Sequence, residues 1–102
     1  MSVKRGTAFE NYVKRKIESL DIGYIARARA SKGVFDLLLI IDGKPYGIQC
    51  KLGSLTNFEK QKLLSAYTSY KIIPIFATKE NGRVVFINLL TNTKSSNFLE
   101  VV

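Results

Sequence analysis

The stretch that decides the fold is VFDLLLIIDGKPYGIQCK, residues 34–51. It opens with an apolar run of strand length that contains one acid, Asp36, and then reaches the dipeptide Asp42-Gly43. Such a dipeptide between two apolar runs is the strongest short-range sign of a β-hairpin. A two-residue turn at this point pairs Leu39 with Tyr46, and it predicts that Asp36 faces Gln49 at the open end of the hairpin.

Three polar side chains therefore meet among apolar neighbours. Lys51 follows Gln49 by two residues and lies on the same face, because side chains alternate along a strand. An unpaired buried carboxylate is costly, so Asp36 needs a partner. Lys51 would neutralise it in a plain salt bridge. A divalent ion would do the same, with the Gln49 side chain and the Cys50 backbone carbonyl as further oxygen ligands of the kind that suit Mg²⁺ or Mn²⁺.

Helices and further strands surround the hairpin. Apolar periodicity predicts a helix over 7–20, and strict alternation predicts a strand over 24–30. The capping-box spacing of Thr56 and Glu59 begins a second helix that runs to about Tyr70. Strands are predicted over 71–78, where Pro74 favours an edge or a bulge, and over 84–89. The order of helix, three strands, helix, two strands predicts an α/β or α+β fold, with residues 91–102 as a last short strand or an interface segment.

Composition limits the possible functions. The chain of 102 residues has room for one domain, residues 1–102, and its 16 Lys and Arg against 8 Asp and Glu give a net charge of +8. Such a field attracts polyanions, most commonly nucleic acid. Histidine is absent, which excludes imidazole catalysis and histidine metal sites, and the single cysteine, Cys50, excludes an internal disulfide and is expected to be a small core residue. Without a hydrophobic signal or bilayer-length segment, we expect a cytoplasmic, intracellular protein with no membrane partner.

Residues 4–51 resemble the PD-(D/E)xK nuclease superfamily. The resemblance rests on Asp36, on Gln49-Cys50-Lys51 after twelve intervening residues, and on Glu10 in the preceding helix. The short chain, its basic charge, the segment RGTAFE (residues 5–10) and the loop RASKGVFD (residues 29–36) are most similar to the archaeal Holliday junction resolvases. The resemblance implies a restriction-endonuclease-like αβββαβ core, in which a mixed central sheet is flanked by helices.

The same resemblance implies a Mg²⁺-dependent DNA endonuclease, with Mn²⁺ as a substitute, that cleaves four-way junctions. Asp36 would be the principal metal ligand, completed by Gln49 and the Cys50 carbonyl. Lys51 would orient or deprotonate the attacking water, and Glu10 would bind the metal through water or contact a second ion. The loop residue expected at the phosphate is Ser31, and the basic residues expected along the DNA path are Lys4, Arg5, Arg27, Arg29 and Lys32.

Plainer interpretations of these residues remain open. Glu10 also suits an ordinary helix acid paired with Lys14 four residues on, Ser31 also suits a polar loop, and each basic residue alone also suits a solvated charge. Gln49 replaces the usual acid, so the site loses a negative charge and holds a metal more weakly. A Gln-x-Lys form also resembles Mrr-type nucleases.

The alternatives to a junction resolvase are therefore a general or Mrr-like DNA endonuclease, an inactive DNA-binding module of the same fold, or a basic binding or assembly module in which Asp36 and Lys51 form a structural pair. A four-way junction has near two-fold symmetry, so the resemblance also implies a homodimer that binds branched DNA. The late apolar residues that would supply the dimer surface, or else close the core, are Phe86, Ile87, Leu89, Leu90 and residues 98–102.

Overall fold

One six-stranded mixed sheet organises the part of the chain that the structure describes. The computed structural model describes residues 2–28 and 34–102, and for residues 2–6 it describes the backbone alone. Its elements are α1 (Ser2–Glu18), β1 (Tyr24–Arg27), β2 (Leu37–Ile41), β3 (Lys44–Cys50), α2 (Asn57–Tyr70), β4 (Ile73–Glu80), β5 (Arg83–Asn88), β6 (Thr93–Ser95) and a 3-10 turn (Phe98–Glu100). The strands lie in chain order. Every neighbouring pair is antiparallel except β3 and β4, which are parallel because α2 connects them.

The β2–β3 hairpin forms as its turn dipeptide predicts. Asp42 and Gly43 both have positive φ, at 48° and 78°, which is the backbone shape that matches the twist of two paired strands. Leu39 pairs with Tyr46, so the predicted register is confirmed through the body of the hairpin. The first helix starts earlier than predicted, at Ser2, and the strand predicted over 24–30 ends at Arg27, with residues 29 and 30 outside the described part.

The predicted mixed sheet with its two helices is confirmed, but the placement of Pro74 at an edge is wrong. Strand β4 lies between β3 and β5 in the interior of the sheet. Pro74 is its second residue, and the pairing of β4 with β5 begins only at Ile75. A proline has no N–H to donate, so an interior strand accommodates it at this end, before the ladder with β5 has started.

The two helices pack on opposite faces of the sheet. Helix α1 buries Phe9, Val13 and Ile17 against the face that contains Ile75 and Ala77. The intervening β4 residue belongs to the other face, where Phe76 packs with Leu63 and Ala66 of α2. No helix in the described ranges is long and apolar enough to cross a membrane.

The C-terminal segment closes the core. Phe98 is 1% exposed and meets Phe86 edge to face, with ring centroids 4.9 Å apart. Asn88 donates a hydrogen bond to the Val101 carbonyl at 2.8 Å, which fixes the end of the chain. The late apolar residues were expected either to form a dimer surface or to close the core. The buried ones close the core, and the exposed ones are Leu90, Leu99 and Val102.

Candidate active site

Asp36 lies at a break in the β2 ladder. The regular register ends where Leu37 pairs with Ile48, and the Asp36 N–H then donates to the same Ile48 carbonyl at 2.8 Å. Phe35 and Leu37 are two residues apart, yet they belong to the cores on opposite faces of the sheet. The backbone thus turns at Asp36, as it does at a β-bulge, which re-aims a side chain. The prediction that Asp36 faces Gln49 in a continued regular register is therefore wrong.

A glycine and an aromatic ring fix this turn. Phe35 is 8% exposed, and its ring lies directly over Gly47, where an added Cβ would come within 2.5 Å of ring carbons. Any side chain at Gly47 would therefore displace the residue that precedes Asp36. Sequence reasoning missed this contact. The signal was the lone glycine inside the predicted strand, which often marks close approach of another group.

The Asp36 carboxylate caps the end of β3. Its Oδ2 accepts the backbone N–H of Cys50 at 2.8 Å. The N–H and C=O of a strand residue point to the same side, so the Cys50 carbonyl also points toward the side of β2, beyond its last pair. The Cys50 side chain packs against the α1 core. Burial and the negative charge of Asp36 raise the pKa of its thiol, so it stays protonated at neutral pH.

Helix α1 supplies a second carboxylate. Glu10, Arg27 and Asp36 line one small pocket together with Thr7 and Ala28. Glu10 forms an ion pair and hydrogen bond with Arg27. The alternative pairing of Glu10 with Lys14 is wrong, because the Lys14 ammonium bonds to Glu18 at 2.9 Å.

Both carboxyl groups resist ionisation. The pKa of Glu10 is raised first by burial and then by the negative charge of Asp36, while Arg27 opposes the shift. The pKa of Asp36 is also raised by burial, and the hydrogen bond from Cys50 opposes it. A hydrogen bond with Glu10 also lowers the pKa of Asp36. Burial of both carboxyls, together with the negative charge of Asp36 beside Glu10, makes a site that favours an added cation.

Gln49 and Lys51 lie on the α2 side of Asp36. Asp36 and Gln49 line a second pocket with Phe58 and Glu59 of α2, so Asp36 is reached from both faces of the sheet. The Lys51 ammonium bonds to both carboxylate oxygens of Glu59, at 2.8 and 3.1 Å. Among the described residues, no ion pair joins Lys51 to Asp36, so the structural-pair alternative is not what the structure contains.

Glu59 is the residue of the site that sequence reasoning assigned only to helix capping. Its carboxylate accepts the Thr56 N–H at 2.9 Å, and the Thr56 hydroxyl accepts the Glu59 N–H at 3.1 Å. Lys51 and Thr56 together hold the pKa of Glu59 at about 2. One side chain therefore begins α2 and also fixes Lys51.

Several predicted site residues fall outside what the structure describes. Arg29, Ser31 and Lys32 lie outside the described residues, and Lys4 and Arg5 lie in α1 with only their backbone described. Of the predicted set, the structure places Glu10 and Arg27 in one pocket with Asp36, and Gln49 in a second pocket with Asp36. The Cys50 N–H bonds to Asp36, and Lys51 is held by Glu59.

The donor set at this point fits a weakly held divalent ion. Within residues 2–28 and 34–102, no group of three or more His, Cys, Asp or Glu side chains is arranged for a metal. The site offers two carboxylates, from Glu10 and Asp36, and the further oxygens of Gln49 and the Cys50 carbonyl. Such all-oxygen ligands suit Mg²⁺ or Mn²⁺, and the amide in place of a third acid lowers the affinity.

Comparison with known proteins identifies the fold. No protein-family model and no curated protein matches the sequence. Among solved structures, the chain is similar to Hjc, a Holliday junction resolvase from the archaeal hyperthermophile Archaeoglobus fulgidus, with a TM-score of 0.64 and 18% identity. The match covers 84% of this chain and 74% of the resolvase. The fold implied by residues 4–51 is therefore confirmed: this chain has the fold of an archaeal Holliday junction resolvase.

Proposed function

We propose that this protein is a metal-dependent DNA endonuclease that cleaves four-way junctions. The observation that carries the proposal is the position of Asp36 at the turn before β2, where it lines one pocket with Glu10 and another with Gln49, on the fold of a junction resolvase. A structural acid would have an ion-pair partner of its own, whereas Asp36 accepts a backbone N–H and lies beside a second acid. The net charge of +8 supports DNA as the substrate.

Asp36 would hold the metal, with Gln49, the Cys50 carbonyl and Glu10 as the remaining donors. When bound, the ion would lower the pKa of a water molecule and polarise the scissile phosphate. Lys51, at the end of β3, would orient that water or stabilise the charge that develops on the phosphate. Glu59 keeps the Lys51 ammonium in place before DNA arrives.

Cleavage of a four-way junction at two symmetric positions implies a second copy of the chain. The near two-fold symmetry of a four-way junction requires two sites related by the same symmetry, which a homodimer supplies. The exposed apolar side chains Leu90, Leu99 and Val102 are available for such an interface. A DNA substrate also fits the intracellular location expected from the sequence.

One residue favours two other candidates. Gln49 leaves the site one acid short, which favours either a general endonuclease with weak metal affinity or a DNA-binding relative that has lost cleavage. These three outcomes differ in which DNA is cut and in whether any DNA is cut.

Cleavage of labelled DNA distinguishes them. The substrates are a four-way junction and a linear duplex of matched sequence, each with Mg²⁺, Mn²⁺ or EDTA. The variants are wild type, Asp36→Asn, and Asp42→Asn as a control. The control makes the same chemical change at an exposed turn residue at the other end of the hairpin, where positive φ suits Asn.

We expect metal-dependent paired nicks in the junction alone, made by wild type and Asp42→Asn and lost in Asp36→Asn. Equal cutting of junction and duplex would keep the nuclease and reject the junction preference. Tight binding of DNA without cleavage under either metal would reject the nuclease and identify Gln49 as the mark of a lost activity.

A further inference from the structure

A basic groove lies beside the candidate site on the α1 face. It separates α1 from the β4–β5 hairpin and encloses about 710 Å³. We call it the α1–β4 groove; the lining residues that matter here are Tyr12, Arg15, Lys16, Leu52, Lys79 and Arg83. No part of the proposed reaction uses it.

Four cations line this groove. Arg15, Lys16, Lys79 and Arg83 are exposed, and none of them takes part in an ion pair among the described residues. No described acid lines the groove. The candidate site is different, because there Arg27 and Lys51 are each held by a glutamate. Four positive charges without counter-charges attract an anion with several charges.

The groove adjoins the candidate site through neighbouring residues of α1, because Ala8 lines the groove and Thr7 lines the pocket of Glu10 and Asp36. Leu52 directly follows Lys51, and strand β4 runs parallel to β3 with Cys50 opposite Ala77. Lys79, two residues beyond Ala77, therefore extends past the end of β3 on the α1 face. On the helix, Tyr12 and Lys16 lie one turn apart and face the groove, and Tyr12 is 48% exposed.

We propose that the α1–β4 groove binds the phosphate backbone of duplex DNA that extends from the candidate site. The proposal rests on DNA as the substrate of the proposed function. The groove adjoins the pocket of Glu10 and Asp36 at neighbouring residues of α1. This argues for one long polyanion that passes both places, since a small anion would have no reason to span them. The basic side chains contact phosphates, which position DNA without reading its sequence, and Tyr12 packs against the sugar edge.

The test measures binding, with cleavage suppressed by EDTA, as a function of salt. The groove variant is Lys16→Gln with Lys79→Gln. The matched control is Lys44→Gln with Lys71→Gln, two exposed lysines, one at the first residue of β3 and one at the C-cap of α2 before β4. Both variants lower the net charge by the same two units and change the same residue types. Fluorescence anisotropy on junction and duplex DNA gives the slope of log affinity against log salt.

Each phosphate contact contributes about 0.9 to that slope on duplex DNA. We expect the groove variant to lose about 1.8 from the slope, so between 50 and 200 mM salt its affinity falls about 12-fold less than that of wild type. The control should keep the wild-type slope within about 0.5. Equal slopes for the two variants would overturn the groove assignment.

The outcomes separate this inference from the proposed function. A groove effect on binding by a protein that does not cleave DNA keeps the groove and rejects the nuclease. Cleavage by wild type together with equal slopes rejects the groove and keeps the nuclease. Absence of DNA binding by wild type rejects both DNA assignments.

Discussion

Replacing Asp36 by Asn should leave the fold nearly as stable as before. The Asn side chain keeps an oxygen that can accept the Cys50 N–H, now bonded at 2.8 Å to a carboxylate. Exchange of a charged acceptor for a neutral one costs about 1 kcal/mol. Removal of the charge also removes two unfavourable effects. One is the burial of a charged group, which raises the pKa of Asp36, and the other is repulsion of Glu10, which raises the pKa of Glu10. The net loss should therefore not exceed about 1 kcal/mol.

Thermal unfolding in EDTA at neutral pH measures this loss. For 102 residues the unfolding entropy is about 0.21 kcal/mol per kelvin, so about 1 kcal/mol lowers Tm by about 5 °C. A buried structural ion pair broken at one partner would cost about 3–5 kcal/mol, which corresponds to a fall of about 14–23 °C. Asp42→Asn is the control. A fall of that larger size in Asp36→Asn alone would refute the assignment of Asp36 to a functional site.

Four further results are expected. Mg²⁺ at ten times its Kd should stabilise wild type by about 1.4 kcal/mol and leave Asp36→Asn unchanged in thermal shift assays; equal shifts would remove the metal site. The pKa of Glu59 is lowered from 4.5 to about 2, so its ionised form stabilises the fold above pH 4.5, and this stability is lost as pH falls towards about 2. Urea titrations across this range should show a steeper decline for wild type than for Glu59→Gln, and parallel curves would contradict the Lys51 contact. Thr56→Ala should cost about 1 kcal/mol in urea unfolding, with Thr56→Ser close to wild type. Phe98→Ala should lower the free energy of unfolding by about 3–5 kcal/mol. A variant that keeps its stability but no longer forms a dimer would instead make Phe98 an interface residue.

Local signals predicted the framework of the site. The turn dipeptide at Asp42-Gly43 fixes the β2–β3 register because a two-residue turn leaves one way to pair the strands. The Thr56 capping box correctly marks the start of α2, because both of its hydrogen bonds lie within one turn of helix. Element order follows from such short-range features, and with it the fold class.

Contacts between distant segments were not predictable in the same way. The Glu10–Arg27 pair depends on how α1 crosses β1, which no local pattern encodes. The turn at Asp36 depends on the ring of Phe35 over Gly47, a contact across strands. Lys51 could equally have reached Asp36 by alternation alone, and only the packing of α2 brings Glu59 to it. Local geometry therefore selected the residues, and tertiary packing decided their partners.

Arg27 connects the two parts of the proposed mechanism. It now neutralises Glu10, one of the two carboxylates proposed to hold the metal. A divalent ion taken up by Glu10 and Asp36 would supply that positive charge itself, and the guanidinium would then be available for a DNA phosphate. Metal binding would free Arg27 for DNA, and DNA binding to Arg27 would free Glu10 for the metal. Such coupling is reciprocal. Gln49 supplies an amide in place of an acid, so the proposed metal site has only two carboxylates. Metal binding would therefore depend on release of Glu10 from Arg27. The cations of the α1–β4 groove have no carboxylate partner among the described residues, so DNA would meet them first and the candidate site second.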